Sequence, residues 1–92
     1  YITGKGVVQD YIQALKCFKQ AADQGYAQAQ SNLGAMYKDG TGVKKDYIQA
    51  IKWFQKAADQ GHALAQYNLG NMYWNGTGVK QDYIQAIRWY QK

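Results

Sequence analysis

Apolar positions in this chain fall into two kinds of helical stripe, and the pattern returns every 36 residues, with Asp10-Tyr-Ile-Gln-Ala recurring from Asp46 and Asp82. In the stretch that begins at Asp46, Tyr47, Ala50, Ile51, Phe54, Ala57 and Ala58 keep the i, i+3, i+4, i+7 spacing of an amphipathic helix. Asp46 is suited to cap that helix, and Gln49 three residues on completes a capping box; Asp10 with Gln13 and Asp82 with Gln85 repeat the device. Gly25 and Gly61 supply left-handed stops. The other stripe spans Ala27–Lys38 and again Ala63–Trp74, with Ala29, Leu33, Met36 and Tyr37 matched by Ala65, Leu69, Met72 and Tyr73. Gly34 and Gly70 lie inside these helices, where glycine costs about 1 kcal/mol against alanine. That cost is tolerable where a neighbouring helix comes close. Between the two helix types, Gly40-Thr-Gly-Val and Gly76-Thr-Gly-Val read as turns in which Gly40 and Gly76 end a helix and Val43 and Val79 anchor the loop on the core. The expected helices are 10–23, 27–38, 46–59, 63–74 and 82–91, with no strand.

A fixed period of this length marks stacked copies of one helix pair, each with apolar faces on both sides. The predicted fold is all-α, a right-handed α-solenoid of antiparallel helix pairs. Residues 1–92 form one repeat domain, with a partial unit at 1–24, a full unit at 25–60 and a nearly full unit at 61–92. Tyr1 aligns with Tyr37 and Tyr73, inside a unit, so the chain reads as an excerpt of a longer array.

Composition narrows the function classes. The 92 residues carry a net charge of +5, with Lys16, Lys19, Lys52, Lys56, Arg88 and Lys92 recurring on the polar face of the capped helices. Repeat spacing accounts for that placement better than nucleic-acid binding does, and no nucleic-acid partner is expected. No apolar run is long enough to cross a membrane. The single Cys17 rules out an internal disulfide or a multi-thiolate metal site, and its alignment with Trp53 and Trp89 gives it a packing role. The single His62 leaves no histidine cluster for a metal, and the single Ser31 has no triad partners near it in sequence. The Gly-Thr-Gly loops lack the preceding strand and fixed lysine of a phosphate loop. Neither a cofactor nor an enzymatic activity is expected.

The string Ala-x-Ala-Gln-x-Asn-Leu-Gly-x-Met-Tyr-x-x-Gly-Thr-Gly-Val-x-x-Asp-Tyr-x-x-Ala-x-x-Trp-x-x-Lys-Ala-Ala-x-x-Gly resembles the Sel1-like repeat, a relative of the tetratricopeptide repeat. Leu33-Gly34-x-x-Tyr37 and Leu69-Gly70-x-x-Tyr73 are similar to the tetratricopeptide core. The resemblance implies a scaffold for protein–protein assembly, common in bacteria and often exported; the compartment, periplasmic, secreted or cytoplasmic, stays open. Cysteine-rich relatives are associated with β-lactam binding or hydrolysis, but they carry paired cysteines in each unit.

The two copies within the chain differ informatively. Aligning 25–56 with 61–92 leaves 23 of 32 positions identical and nine different. Five of the nine, at 28, 31, 35, 38 and 39, fall in one arc of about 100° on the first helix of the unit. The stripe is Gln28, Ser31, Ala35, Lys38 and Asp39 in one copy and Leu64, Tyr67, Asn71, Trp74 and Asn75 in the other. By resemblance to tetratricopeptide domains it faces a concave groove that receives a peptide or a partner's helix. Tyr67 and Trp74 are anchor-type residues, and Asn71 can pair with a ligand backbone. The competing readings are a solvated stripe, local packing of Trp74, and a purely architectural spacer. Apolar residues at the two ends, Tyr11, Leu15 and Phe18 at one and Ile87, Trp89 and Tyr90 at the other, are expected to be exposed and to favour end-to-end self-association.

Overall fold

The structure, a computed structural model, describes residues 4–92, with side chains from Ile12 onward. Five helices follow one another: α1 (Gly4–Asp23), α2 (Ala27–Asp39), α3 (Tyr47–Asp59), α4 (Ala63–Asn75) and α5 (Tyr83–Tyr90). Each packs on its neighbour in sequence, α1 on α2, α2 on α3, α3 on α4 and α4 on α5. The result is an all-helical solenoid, 45 × 25 × 17 Å, with a radius of gyration of 13.8 Å. A compact domain of this length has a radius near 12 Å. No strand occurs among the described residues.

The caps follow the sequence at α3 and α5 and depart from it at α1. Asp46 Oδ1 accepts the Gln49 N–H at 3.1 Å, and Asp82 Oδ1 accepts those of Ile84 and Gln85, both at 3.1 Å. The reciprocal half of the expected capping box is replaced. The Asp46 N–H donates to the Tyr37 carbonyl, and the Asp82 N–H to that of Tyr73, each at 2.9 Å. The preceding helix therefore holds the start of the next one. Asp10 is not a cap, because α1 already begins at Gly4. Among the described residues no helix precedes α1 to offer the carbonyl that Tyr37 and Tyr73 provide. Lys5 and Val8 also stand where the later copies have Thr41 and Lys44. The expected loop continues as helix instead. Gly25, Gly40, Gly61 and Gly76 all take positive φ, from 70° to 95°, and end their helices as anticipated.

The core uses both faces of α3. On one side Ala50, Phe54, Ala57 and Ala58 pack with Ala65, Leu69 and Met72 of α4. On the other, Trp53 packs with Ala22, Ala29 and Leu33 of the preceding pair. Gly34 is the contact point of α2 with α3. A Cβ there would lie 2.9 Å from Cδ1, 3.0 Å from Cε1 and 3.1 Å from Cγ of Phe54, which is wholly buried. Gly70 meets the Tyr90 ring in the same way, at 2.7 and 2.8 Å.

Two buried glutamines tie the turns. Gln30 Nε2 donates to the Ala22 carbonyl and Gln66 Nε2 to the Ala58 carbonyl, each at 3.1 Å, satisfying carbonyls at helix ends that lack an intrahelical partner. Gln60 Nε2 reaches back one unit, to the Gly25 carbonyl at 2.8 Å and Gln30 Oε1 at 2.9 Å. Leu15 and Phe18 are half-buried against the Leu33–Trp53 cluster rather than exposed; the Tyr11 side chain lies outside the described residues. Cys17 is exposed, unlike Trp53, because no described helix covers that side of α1. At the other end Ile87 and Tyr90 are exposed and Trp89 is half-buried.

Candidate functional site

The stripe of differing residues runs along α2 and α4, whose opposite faces are fixed by Leu33, Met36, Leu69 and Met72 in the core. Those four positions are identical in kind between copies, so the differing positions are the ones turned away from them. The stripe is not uniformly open. Gln28 is exposed and donates through Nε2 to Asn32 Oδ1 at 3.2 Å. Ala35 is half-buried against the core. Ser31 is 2% exposed and leaves the set of candidate contact residues. At the equivalent position 67 the tyrosine stays exposed. Lys38 is half-exposed, its Nζ 3.8 Å from Asp39 Oδ1.

The second copy is the richer surface. Leu64, Tyr67 and Trp74 are 54%, 58% and 44% exposed. Both aromatics are braced from α5. The Tyr67 ring lies 5.9 Å from that of Tyr90, tilted by 43°, and the Trp74 ring lies 4.6 Å from that of Tyr83, tilted by 56°. Gln81 Nε2 adds bonds to the Trp74 carbonyl at 2.8 Å and the Tyr83 hydroxyl at 2.9 Å. Tilted ring pairs at these separations contribute about 0.5–1.5 kcal/mol each. The exposed rings are thus held before any partner arrives.

Asn71 is placed differently. The Tyr90 hydroxyl donates to its Oδ1. Burial, and then the neighbouring Tyr67, push the Tyr90 phenol above its ordinary value of 10.0. Asn71 also lines a cleft of about 300 Å³ between the units, together with Lys38, Asp39, Asn68 and Asn75. Lys45 and Tyr47, from the loop and the start of α3, form the facing wall. A smaller hollow of about 110 Å³ lies beside Tyr67, Trp89 and Lys92. The stripe therefore divides: Lys38 and Asn71 share the larger cleft, Tyr67 borders the smaller one, and Trp74 stands on Tyr83. Lys45, Tyr47, Asn68 and Thr77 were missed by sequence reasoning. Position 45 carried a signal, since it is one of the nine that differ between copies; Asn68 carried none, being identical to Asn32.

Other chemistry stays without support. Among the described residues no group of His, Cys, Asp and Glu could hold a metal, and no helix is long and apolar enough to cross a membrane. His62 precedes α4 with its Nε2 buried and unpartnered among the described residues. Lys56 and Lys92 lie 5.1 and 5.6 Å from the ring centroids of Trp53 and Trp89, a repeated cation–π contact that gives these basic positions a structural task.

The chain is similar to two solved bacterial structures. A Sel1 repeat protein from Oxalobacter formigenes is 42% identical over 84% of this chain, with a TM-score of 0.81. A protective antigen present in uropathogenic Escherichia coli strains, displaying an SLR fold, is 49% identical over 84%, again with a TM-score of 0.81. This chain spans 32% and 16% of their lengths. No sequence among the curated proteins matches it. The Sel1 repeat model matches residues 1–26, 27–62 and 63–92, three units that reproduce the period read from the residues, and the chain belongs to the Sel1 repeat family.

Proposed function

We propose that this segment is a protein-interaction module that holds an extended peptide or a partner's helix along the α2–α4 face. Sel1 repeat proteins generally mediate protein interactions and are typically non-catalytic scaffolds. The observation that carries the reading is the pair Tyr67 and Trp74, two large aromatics left exposed yet braced by Tyr90 and Tyr83. Rigid aromatic anchors lose little freedom on binding, which is why they dominate interface energetics. Leu64 beside them extends the apolar edge, and Lys38 and Asn71 supply polar contacts that fix register.

The test is selection of dodecamer peptides from a random displayed library, followed by affinity measurement on the chain and on Tyr67→Ala and Trp74→Ala. Each substitution is expected to weaken the selected peptides by at least about tenfold, the level of an interface hot spot. Melting should change by no more than the loss of one tilted ring pair. Peptides that bind both variants as well as the parent chain would refute the groove and leave the architectural-spacer reading.

A further inference from the structure

Asn71 is the one member of the differing stripe whose side chain is hydrogen-bonded from another helix among the described residues. Tyr90 on α5 donates its hydroxyl hydrogen to Asn71 Oδ1. An amide whose oxygen is engaged in that way still has both N–H donors to offer. Asn71 lines the larger cleft and Tyr90 does not, which leaves those donors for a ligand in it. Among the described residues nothing else bonds to the Asn71 side chain. In the earlier copy the corresponding pair is Ala35 and Phe54, neither with a polar side-chain atom. The amide and the hydroxyl that aims it are therefore present together in one copy and absent together from the other.

The rest of the cleft matches an acceptor-bearing ligand. Asn68 and Asn75 lie three residues before and four after Asn71, on the same side of α4, and add amide donors. Lys38 and Lys45 bring two ammonium groups, and the single carboxylate, Asp39, sits 3.8 Å from the first. One positive charge is left over. A cationic segment would meet like charge there, and a dianion would crowd Asp39. A single carboxylate suits the balance.

We propose that this cleft receives one side-chain carboxylate of an extended acidic peptide, with Asn71 as hydrogen-bond donor, Lys38 and Lys45 as the charge complement and Tyr90 as the positioning residue. The proposal rests on the groove reading above and narrows it to a partner class. The carboxylate accepts from the Asn71 amide while backbone carbonyls on either side accept from Asn68 and Asn75. Tyr90 keeps its proton, and so its donor role, throughout the neutral range, as any phenol does.

Fluorescence polarisation with two labelled pools of random dodecamers tests this, one pool with glutamate fixed at the centre and one with glutamine. The glutamate pool is expected to bind about tenfold more tightly or better, the range for a hydrogen bond made to a charged group. Tyr90→Phe, which keeps the ring that braces Tyr67, should reduce that glutamate preference about threefold to tenfold. The variant is expected to fold, since phenylalanine is the native residue at the equivalent position 54. Asn71→Asp should abolish or reverse the preference. Equal binding of the two pools, still lost on Tyr67→Ala, overturns the carboxylate inference and keeps the groove. Binding of neither pool overturns both. A glutamate preference that Tyr90→Phe leaves unchanged removes Tyr90 from the site.

Discussion

Replacing Gly34 by alanine sets two known effects against each other. Glycine in a helix interior is about 1 kcal/mol worse than alanine, so an exposed Gly→Ala change would stabilise the chain. At Gly34 the new methyl would stand 2.9–3.1 Å from three ring carbons of Phe54, well inside van der Waals contact. That ring is fully buried among Ala50, Leu69 and Met72 and has no open direction in which to move. Overpacking of this kind costs about 1–3 kcal/mol. The net expectation is a loss of about 1 kcal/mol, which for a domain of this size lowers the melting temperature by roughly 5 °C. Circular dichroism melts of the chain, Gly34→Ala, Phe54→Leu and the double variant form a cycle that isolates the clash. The alanine should be less harmful once leucine has replaced the ring. Gly70→Ala should also lower the melting temperature: the Tyr90 ring it meets at 2.7 and 2.8 Å is partly exposed and can yield, but the Ala86 carbonyl oxygen at 3.2 Å cannot. A rise in melting temperature for Gly34→Ala, equal to that of an ordinary helix position, would refute the close-approach argument.

Three further outcomes follow from the same geometry. Asp46→Ala should lower stability by about 1 kcal/mol through loss of its cap on α3, and Asp10→Ala by no more than about 0.5 kcal/mol, because that position lies inside α1; denaturant titration of the two variants compares them. Gln66→Leu should lower stability by about 1 kcal/mol, as the Ala58 carbonyl loses the buried Gln66 amide and keeps the Gly61 N–H at 2.9 Å, and hydrogen exchange at α4 should rise with it. Because Tyr90 has its ionisation raised in the folded chain, its contribution to stability is complete below its ordinary value of 10.0 and fades as pH climbs through the higher folded value. The difference between spectrophotometric titrations of the parent chain and of Tyr90→Phe should therefore place the Tyr90 transition above pH 10, and a difference transition below 10 would contradict the assignment.

Helix positions, the glycine stops and the close approach at Gly34 were legible because each is dictated within a few residues of its own place. The departures all depend on what lies across a gap. Asp10 has the cap sequence, yet no described residue lends it the carbonyl that Tyr37 and Tyr73 lend to the later loops. Cys17 occupies a tryptophan position yet is exposed, with no described helix over it. Ser31 and Tyr67 share a place on the wheel and differ in burial, which the periodicity of one helix does not decide. The coupling of Asn71 to Tyr90 spans 19 positions, and the comparison of copies showed both residues as differing without showing that they differ together. Substitutions that look free on one helix were in part matched by a change on the next.

Gln60 shares its amide between a turn and a glutamine of the preceding unit, 35 and 30 positions back along the chain. One amide then bridges two structural levels, so the opening of either turn breaks a bond held by the other. Torsional stiffness along the stack thereby becomes a property of its seams as well as of its helices.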